Sequence, residues 1–400
     1  MKKKMLITCT VVLVTAAVIL GFVLKNQVRE NPDKNTVNVA IGQWDTTQNE
    51  SQNYWNPDNH AVAKGMGGYY FIQTTDGISK IAFFDETTQE AVAVCAKPEC
   101  THSDNTCNAY LCDMKQTGSA LYLTDTIYCY NGYLYLIQCE GGMGKLVRIH
   151  TDGSARETIA DLFANTGVSS ISLVFHENDV YAYDDTGHAG QEEEAEEVIK
   201  KISLTDGTEQ TVFSYTGTGA SIDRGRSFGD KLYFVIREYT KNKETKAVSS
   251  DYKGLFEYDF ATGDTRKVID ADVCDYHADT ENQMLFYFVQ GTGLYAYDMT
   301  QGSNTLIYPA EDELIQCKMS YDGKNLYLFN NGAGRATETK TRIQRYCYVL
   351  DTKGNQIAKI LCNGIVYFGD TDYLFEEKGD NLEYMKKENL SDKSEWILIN

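Results

Sequence analysis

The chain is poor in the residues that carry most recognisable chemistry. Its 400 residues include only 4 prolines, 3 tryptophans (Trp44, Trp55, Trp396) and 6 histidines. So little proline excludes Pro-rich linkers and collagen-like segments. A Gly-x-Ser-x-Gly elbow is missing, and no α/β unit is appended, which argues against a serine peptidase. His-Glu-x-x-His, the phosphate-binding P-loop and Gly-x-Gly-x-x-Gly are also missing, and with them the zinc-peptidase and common nucleotide-binding classes. Nor is there a Ser-x-Asp-x-Gly-x-x-Trp box of the sialidase type. Positive charge is scarce: 37 Lys and Arg against 57 Asp and Glu give a net charge of −20. Lys2, Lys3, Lys4 and Lys25 lie in the first 25 residues, so the remainder carries about −24. Nucleic acid and anionic membrane surfaces both require positive patches, so neither is an expected partner of the body.

Tyrosine, in contrast, is abundant (28), and its distribution is periodic. Between Gly68 and Asn400 one unit recurs seven times at intervals of roughly 40 to 65 residues, too long for a helical solenoid. Each unit has an aromatic-rich strand, a second strand, a turn with Asp, Asn or Gly, and a short apolar strand. The clearest copy runs from Ile127 to Leu162, with Tyr133-Leu134-Tyr135 as its aromatic strand. Its counterparts are Tyr69 to Phe71, Val180 to Tyr183, Leu232 to Phe234, Met284 to Phe288, Leu326 to Phe329 and Tyr373 to Phe375. Turns such as Thr151-Asp152-Gly153 and Thr205-Asp206-Gly207 close the hairpins. The pattern predicts an all-β fold, a β-propeller of seven blades, each of four antiparallel strands. In it the aromatic strand is second from the channel and packs between blades. Closing the ring leaves only short, protected edges. A monomeric ring is the expected assembly.

The N-terminus predicts a different environment. Met5 to Leu24 is uncharged and long enough to span a bilayer as a helix. Three lysines precede it, which places residues 1–4 in the cytoplasm and the rest outside. No small-x-small cleavage pattern ends the run, so an uncleaved single-pass anchor is expected at 5–24, with the cell membrane as its location. Residues 25–56 read as a polar stalk and 57–400 as the propeller. Thr36 to Ile41 alternates like a strand and is a candidate to pair with the last blade.

The densest motif is Cys95-Ala-Lys-Pro-Glu-Cys100-Thr-His102, followed by Cys107 and Cys112, in the connection at 95–112. Four thiols and an imidazole offer a zinc set, but no Cys-x₂-Cys knuckle is present. Nested disulfides, Cys100 with Cys107 inside Cys95 with Cys112, are the expected state outside the cytoplasm, and neither metal nor cofactor is expected. The run from Cys95 to His102, with Cys107-Asn-Ala-Tyr-Leu behind it and Gly68-Tyr-Tyr-Phe and Phe83-Phe-Asp ahead, resembles a group of uncharacterised cell-surface or lipoprotein-type propellers of Gram-positive anaerobes. That group is related to the domain-of-unknown-function propellers similar to TolB. The resemblance covers 68–111 and implies fold and surface location, but supplies no active site; the lipobox of its lipoprotein members is missing here. The remaining cysteines from Cys129 onward fall in strands and read as small core residues.

His60, His176 and His277 fall on or beside innermost strands, where side chains can face a central channel, and Arg224 and Arg226 approach the same region. They are the candidate catalytic set. Strand register decides the matter, since a slip of one residue turns each side chain to the other face. Asp270, Asp272, Asp275 and Asp279 are closely spaced but lack the central Gly of a calcium loop. The expected function is therefore a cell-surface binding or interaction module for a macromolecular or extended ligand, an envelope protein or glycan. The alternative is an enzyme on polysaccharide or cell wall that works through those five channel residues.

Overall fold

The structure is a computed structural model, and it describes residues 51–400 apart from 57–59, 114, 116–120, 165–170, 185–193, 242–243, 245–247, 331–343, 380 and 400. The expected anchor at 5–24 and the strand expected at 36–41 lie outside the described residues. Among the described residues no helix is long and apolar enough to cross a membrane.

Seven antiparallel sheets follow one another along the chain, in simple sequential order except that the outer edge of the first is shared by two strands. Their first strands are Val62–Gly65, Leu121–Tyr130, Ile171–His176, Ser221–Phe228, Val273–Asp279, Lys318–Tyr321 and Ile365–Tyr367, which begin blades 1 to 7. First strands of successive blades touch each other, as in the pairs of blades 1 and 2, 3 and 4, and 5 and 6, and so form the inner wall. The aromatic runs occupy the second strands, for example Tyr133–Glu140 and Asn325–Phe329. Alternation along these strands points one set of side chains at each neighbouring blade, because successive residues face opposite sides of a sheet.

Tyrosine packs between the blades. Tyr135 of blade 2 lies 4.8 Å from Phe175 of blade 3, ring centre to ring centre. Tyr181 of blade 3 meets Phe260 of blade 4 at 4.8 Å. Such aromatic pairs add about 0.5–1.5 kcal/mol beyond the area they bury. Their hydroxyls reach the neighbouring blade too: Tyr128 accepts the Leu173 N–H (3.1 Å), Tyr183 accepts the Gly225 N–H (2.7 Å), and Tyr276 donates to the Arg224 carbonyl (2.6 Å). Each satisfies a main-chain group that the edge of an innermost strand would otherwise leave unpaired.

Blades 1 and 7 close the ring through side chains. Tyr69, Phe84 and Val62 of blade 1 share one apolar cluster with Tyr367, Tyr373, Phe375 and Tyr384 of blade 7. Tyr69 donates to Asp370 at 2.8 Å, and Tyr384 reaches Gln89 at 3.1 Å. Among the described residues, every strand of blade 1 comes from 62–113 and every strand of blade 7 from 365–398, so no strand is exchanged at the closure.

Blade 1 has an interrupted outer edge. Its third strand, Ile78–Asp85, pairs with Ala91–Ala93 along one half and with Tyr110–Asp113 along the other. Ile81, between the halves, accepts from the Val94 N–H (3.0 Å) and donates to the Ala109 carbonyl (2.9 Å). The chain thus leaves the edge after Val94 and rejoins it at Ala109, with the cysteine-rich run as the excursion.

Candidate functional site

The channel mouth is filled by the chain's own residues 51–56, which the sequence assigns to the stalk. Ser51–Tyr54 forms one 3₁₀ turn that touches the first strands of blades 1, 4 and 6. Gln52 pairs its amide with both main-chain groups of Phe175 in blade 3, donating to the carbonyl (2.7 Å) and accepting from the N–H (2.9 Å). Asn53 does the same at Ser227 of blade 4, accepting the N–H at 3.2 Å and donating to the carbonyl. Ser320 of blade 6 donates to the Tyr54 carbonyl at 2.9 Å. Trp55 is buried between blades 1 and 7, against Tyr69 (6.0 Å) and Phe375 (5.9 Å). Innermost strands are the edge strands of their sheets, and short polar side chains on a tight turn are well suited to pair with such edges.

This turn explains the histidines. His277 directs Nε2 at the Asn53 carbonyl (2.7 Å), with Nδ1 3.0 Å from the Ala278 carbonyl. Tyr54 stacks over its ring at 6.4 Å. Burial, reinforced by the charge of Arg226, brings its pKa down to about 3. His60 directs Nδ1 at the Ile127 carbonyl (2.8 Å) and stacks on Tyr128 at 4.1 Å; burial outweighs its carbonyl contacts and brings its pKa down to about 4. His176 stacks on Phe260 at 3.8 Å, at the seam of blades 3 and 4.

The two arginines are equally committed. A bulge at Arg224-Gly225, with Arg224 in the left-handed region (φ 61°), sets the register of the blade 4 inner strand. Arg226 is fully buried; it pairs with Asp275 (2.8 Å) and donates to the Met319 carbonyl (2.8 Å), so it ties blade 4 to blades 5 and 6. Arg224 lies 3.6 Å from the other oxygen of Asp275 and donates to the Cys274 carbonyl at 3.3 Å. The structure brings Arg224 and Arg226 together at Asp275, with His277 close enough to feel the Arg226 charge, and places His60 and His176 on other blades. His60, His277 and Arg226 are interior fasteners, His176 sits at a seam, and of the five His277 alone lines the recess that adjoins the turn at 51–54. The four aspartates also disperse: Asp275 to Arg226, Asp279 to Tyr321 (2.7 Å), Asp272 to the Tyr252 N–H (2.7 Å) and Asp270 to Lys267 (3.1 Å).

Beside the filled mouth, the same face carries two adjoining recesses, of about 260 Å³ and 460 Å³. Asp322 and Thr371 line both, so they form one groove running from Tyr54 and His277 outward across blades 6 and 7. Its outer part is lined by Lys324, Tyr327, Asp372, Lys386 and Glu388 among others. A buried ion pair lies in its lining, and a half-buried one lies beside it. Lys387 contacts Asp322 at 3.1 Å, and Lys64 contacts Asp370 at 3.1 Å and also pairs with Glu86. Burial lowers the Lys387 pKa, and Asp322 opposes that effect. Glu86, Asp370 and Asp372 bring carboxylate oxygens within 4.8 Å of one another, but the Lys64 ammonium already serves two of them. These groove residues carry no motif in the sequence, because they come from the turns of separate blades.

The cysteine-rich excursion differs from the nested disulfides expected of it. All of its cysteines are free thiols, and Cys112 stands on the outer strand opposite Ser79. Cys95, Cys100, His102 and Cys107 come together, with their ligand atoms within 4.8 Å of one another. Burial pushes the Cys95 thiol up, but hydrogen bonds from the main chain at Lys97 and Asn108 and from Cys100 and Cys107 outweigh it and bring it to about 6; burial pushes Cys107 up to about 11. Of the strand cysteines, Cys274, Cys317, Cys347 and Cys362 are buried, whereas Cys129 and Cys139 are half-buried.

No family model matches the sequence, and no curated protein matches it. Solved structures match in fold. A prolyl endopeptidase chain superposes with TM-score 0.55 at 11% identity, over 87% of this chain and 50% of the other. This chain thus spans about half the length of that protein. An oligogalacturonate lyase in complex with manganese gives 0.51 at 12% identity, over 86% and 90%. At such identity the likeness establishes the propeller fold and nothing finer.

Proposed function

We propose that this chain is a binding module that holds an extended polar ligand in the groove across blades 6 and 7, and that it is displayed outside the cell on the anchor expected at 5–24. One observation carries the reading: residues 51–55 fill the channel mouth where propeller chemistry would be placed, and they engage His277 and the inner strands of blades 3, 4 and 6. With its pKa brought down to about 3, His277 is neutral near neutral pH, and its single N–H is held against a main-chain carbonyl. This placement favours the binding reading over the enzyme alternative through His60, His176, His277, Arg224 and Arg226.

The groove offers what a polar chain needs. Lys324, Lys386, Asp372 and Glu388 are exposed hydrogen-bonding groups of both signs on its rim, above the buried Lys387–Asp322 pair. An envelope glycan, with its many hydroxyls, suits alternating donors and acceptors of this kind. Binding of the chain to a panel of envelope glycans, with envelope proteins in a parallel pull-down, tests the proposal. Lys386→Ala with Asp372→Ala is expected to weaken capture by about tenfold or more, equivalent to about 1.4 kcal/mol. Capture unchanged in the double variant would refute the groove, and capture of protein alone would replace the glycan with an envelope protein.

A further inference from the structure

We propose that Cys95, Cys100, His102 and Cys107 are the ligands of one tetrahedral zinc ion, which clamps the excursion on the outer edge of blade 1. The donor set is the first argument. Three thiols and one imidazole make a closed structural zinc site, with Zn–S near 2.3 Å and Zn–N near 2.0–2.1 Å; around such an ion the donor atoms stand about 3.3–3.8 Å apart. Here all four ligand atoms lie within 4.8 Å of one another, and His102 Nδ1 is already 3.3 Å from the Cys107 sulfur.

The local chain is shaped for this convergence. His102 follows Cys100 by two positions, a short chelate that an extended backbone would splay. His102 instead adopts a left-handed conformation (φ 56°), which folds its ring back toward the thiols. Cys100 and Cys107 each close a tight turn, their N–H groups reaching the Lys97 carbonyl (3.2 Å) and the Asp104 carbonyl (3.1 Å). Lys80 donates to the His102 carbonyl and Lys97 to the Thr106 carbonyl. Two ammonium groups thereby sit near a site that carries a net negative charge once three thiolates bind a divalent ion. Supporting contacts of this kind orient ligands and hold their charge.

Disulfides account for the arrangement less well. The even set of four cysteines that favours two bridges is not the set that meets: three thiols meet, and Cys112 stands apart on its strand. Any one bridge among the three would leave an odd thiol beside an imidazole. Zinc uses all four groups, and it binds with release of the thiol protons to solvent.

The ion's role follows from the position of the excursion. The strand pairing of blade 1 fixes its two ends at Ile81, whereas its middle has few apolar side chains to fold around. It is also the strap to the next blade: Arg156 donates to the Asn108 carbonyl, and Gly153 packs against Val94 and Asn108. Closing a loop with a metal removes conformational freedom that its own packing does not.

The test is metal analysis of the purified full-length chain, with cobalt substitution. The expected result is one zinc per chain, retained in Cys112→Ser and reduced about tenfold or more in Cys95→Ser and Cys107→Ser, with the cobalt form showing thiolate charge-transfer and tetrahedral d–d bands. Should the ligand variants fail to fold, the wild-type chain is stripped with a strong chelator and titrated with cobalt. Appearance of the bands at one equivalent supports the site. Linked Cys100 and Cys107 peptides in the non-reduced protein, equal loss of zinc in Cys112→Ser, or no cobalt bands would overturn it.

Discussion

Replacing Trp55 with alanine tests whether the segment at 51–56 is a fixed part of the ring. Trp55 is 1% exposed and contacts Tyr69 and Phe375 across the closure of blades 1 and 7, with His60 at 6.2 Å. Removing the indole takes away roughly 200 Å² of buried surface, about 5 kcal/mol at 25 cal/mol per Å². Large-to-small substitutions of this kind cost about 3–5 kcal/mol, depending on how far the site collapses. Spread over a ring of roughly 350 residues, at about 2.1 cal/mol/K per residue, that loss lowers the thermal midpoint by about 4–7 °C. Circular dichroism melting is the assay, with Met66→Ala, at a position 97% exposed, as the control expected to show no shift. A midpoint for Trp55→Ala within a degree of the control would refute the docking of this segment and the account of ring closure built on it.

Three further outcomes follow from buried groups. Arg226→Ala is expected to cost about 3–5 kcal/mol in urea unfolding, because it strands the Asp275 carboxylate in the interior; a cost near zero would remove the pair from the inter-blade frame. His60 and His277 have pKa values below the usual 6.5, near 4 and near 3, so the unfolded chain takes up protons first on acidification. Stability is therefore full above about pH 6.5 and falls through pH 4 toward 3, by up to about 1.4 kcal/mol per pH unit for each imidazole; His277→Gln should flatten that slope, and an unchanged slope would contradict its neutral state. Gln52→Ala and Asn53→Ala each remove two hydrogen bonds to an inner strand and should lower stability by about 1–3 kcal/mol, more than Ser51→Ala on the same turn.

The blade pattern was legible because it is local. An aromatic strand such as Tyr133 to Glu140, its partner hairpin and an Asp-Gly turn are all specified within one unit of the chain, and seven repetitions of that period admit little besides a ring. The cysteine-rich connection was legible as a site, though not in its state: four thiols counted along the chain look like two bridges. Only the split outer edge, which turns at Ile81 and carries Cys112 off on a strand, leaves three thiols with His102. The channel candidates show the converse. His60, His277 and Arg226 do lie near the ring's inner wall, but whether an imidazole meets solvent or a carbonyl depends on what fills the channel. That is decided by Gln52, Asn53 and Trp55, residues whose composition reads as stalk and which meet Phe175, Ser227 and Phe375 in distant blades. Sequence determined the repeat and its strands through period-two patterning, a property of neighbouring residues. Tertiary structure decided the closed mouth and the groove of blades 6 and 7, because each assembles single side chains from distant turns, and it decided which of the four thiols meet His102, because no local pattern encodes that.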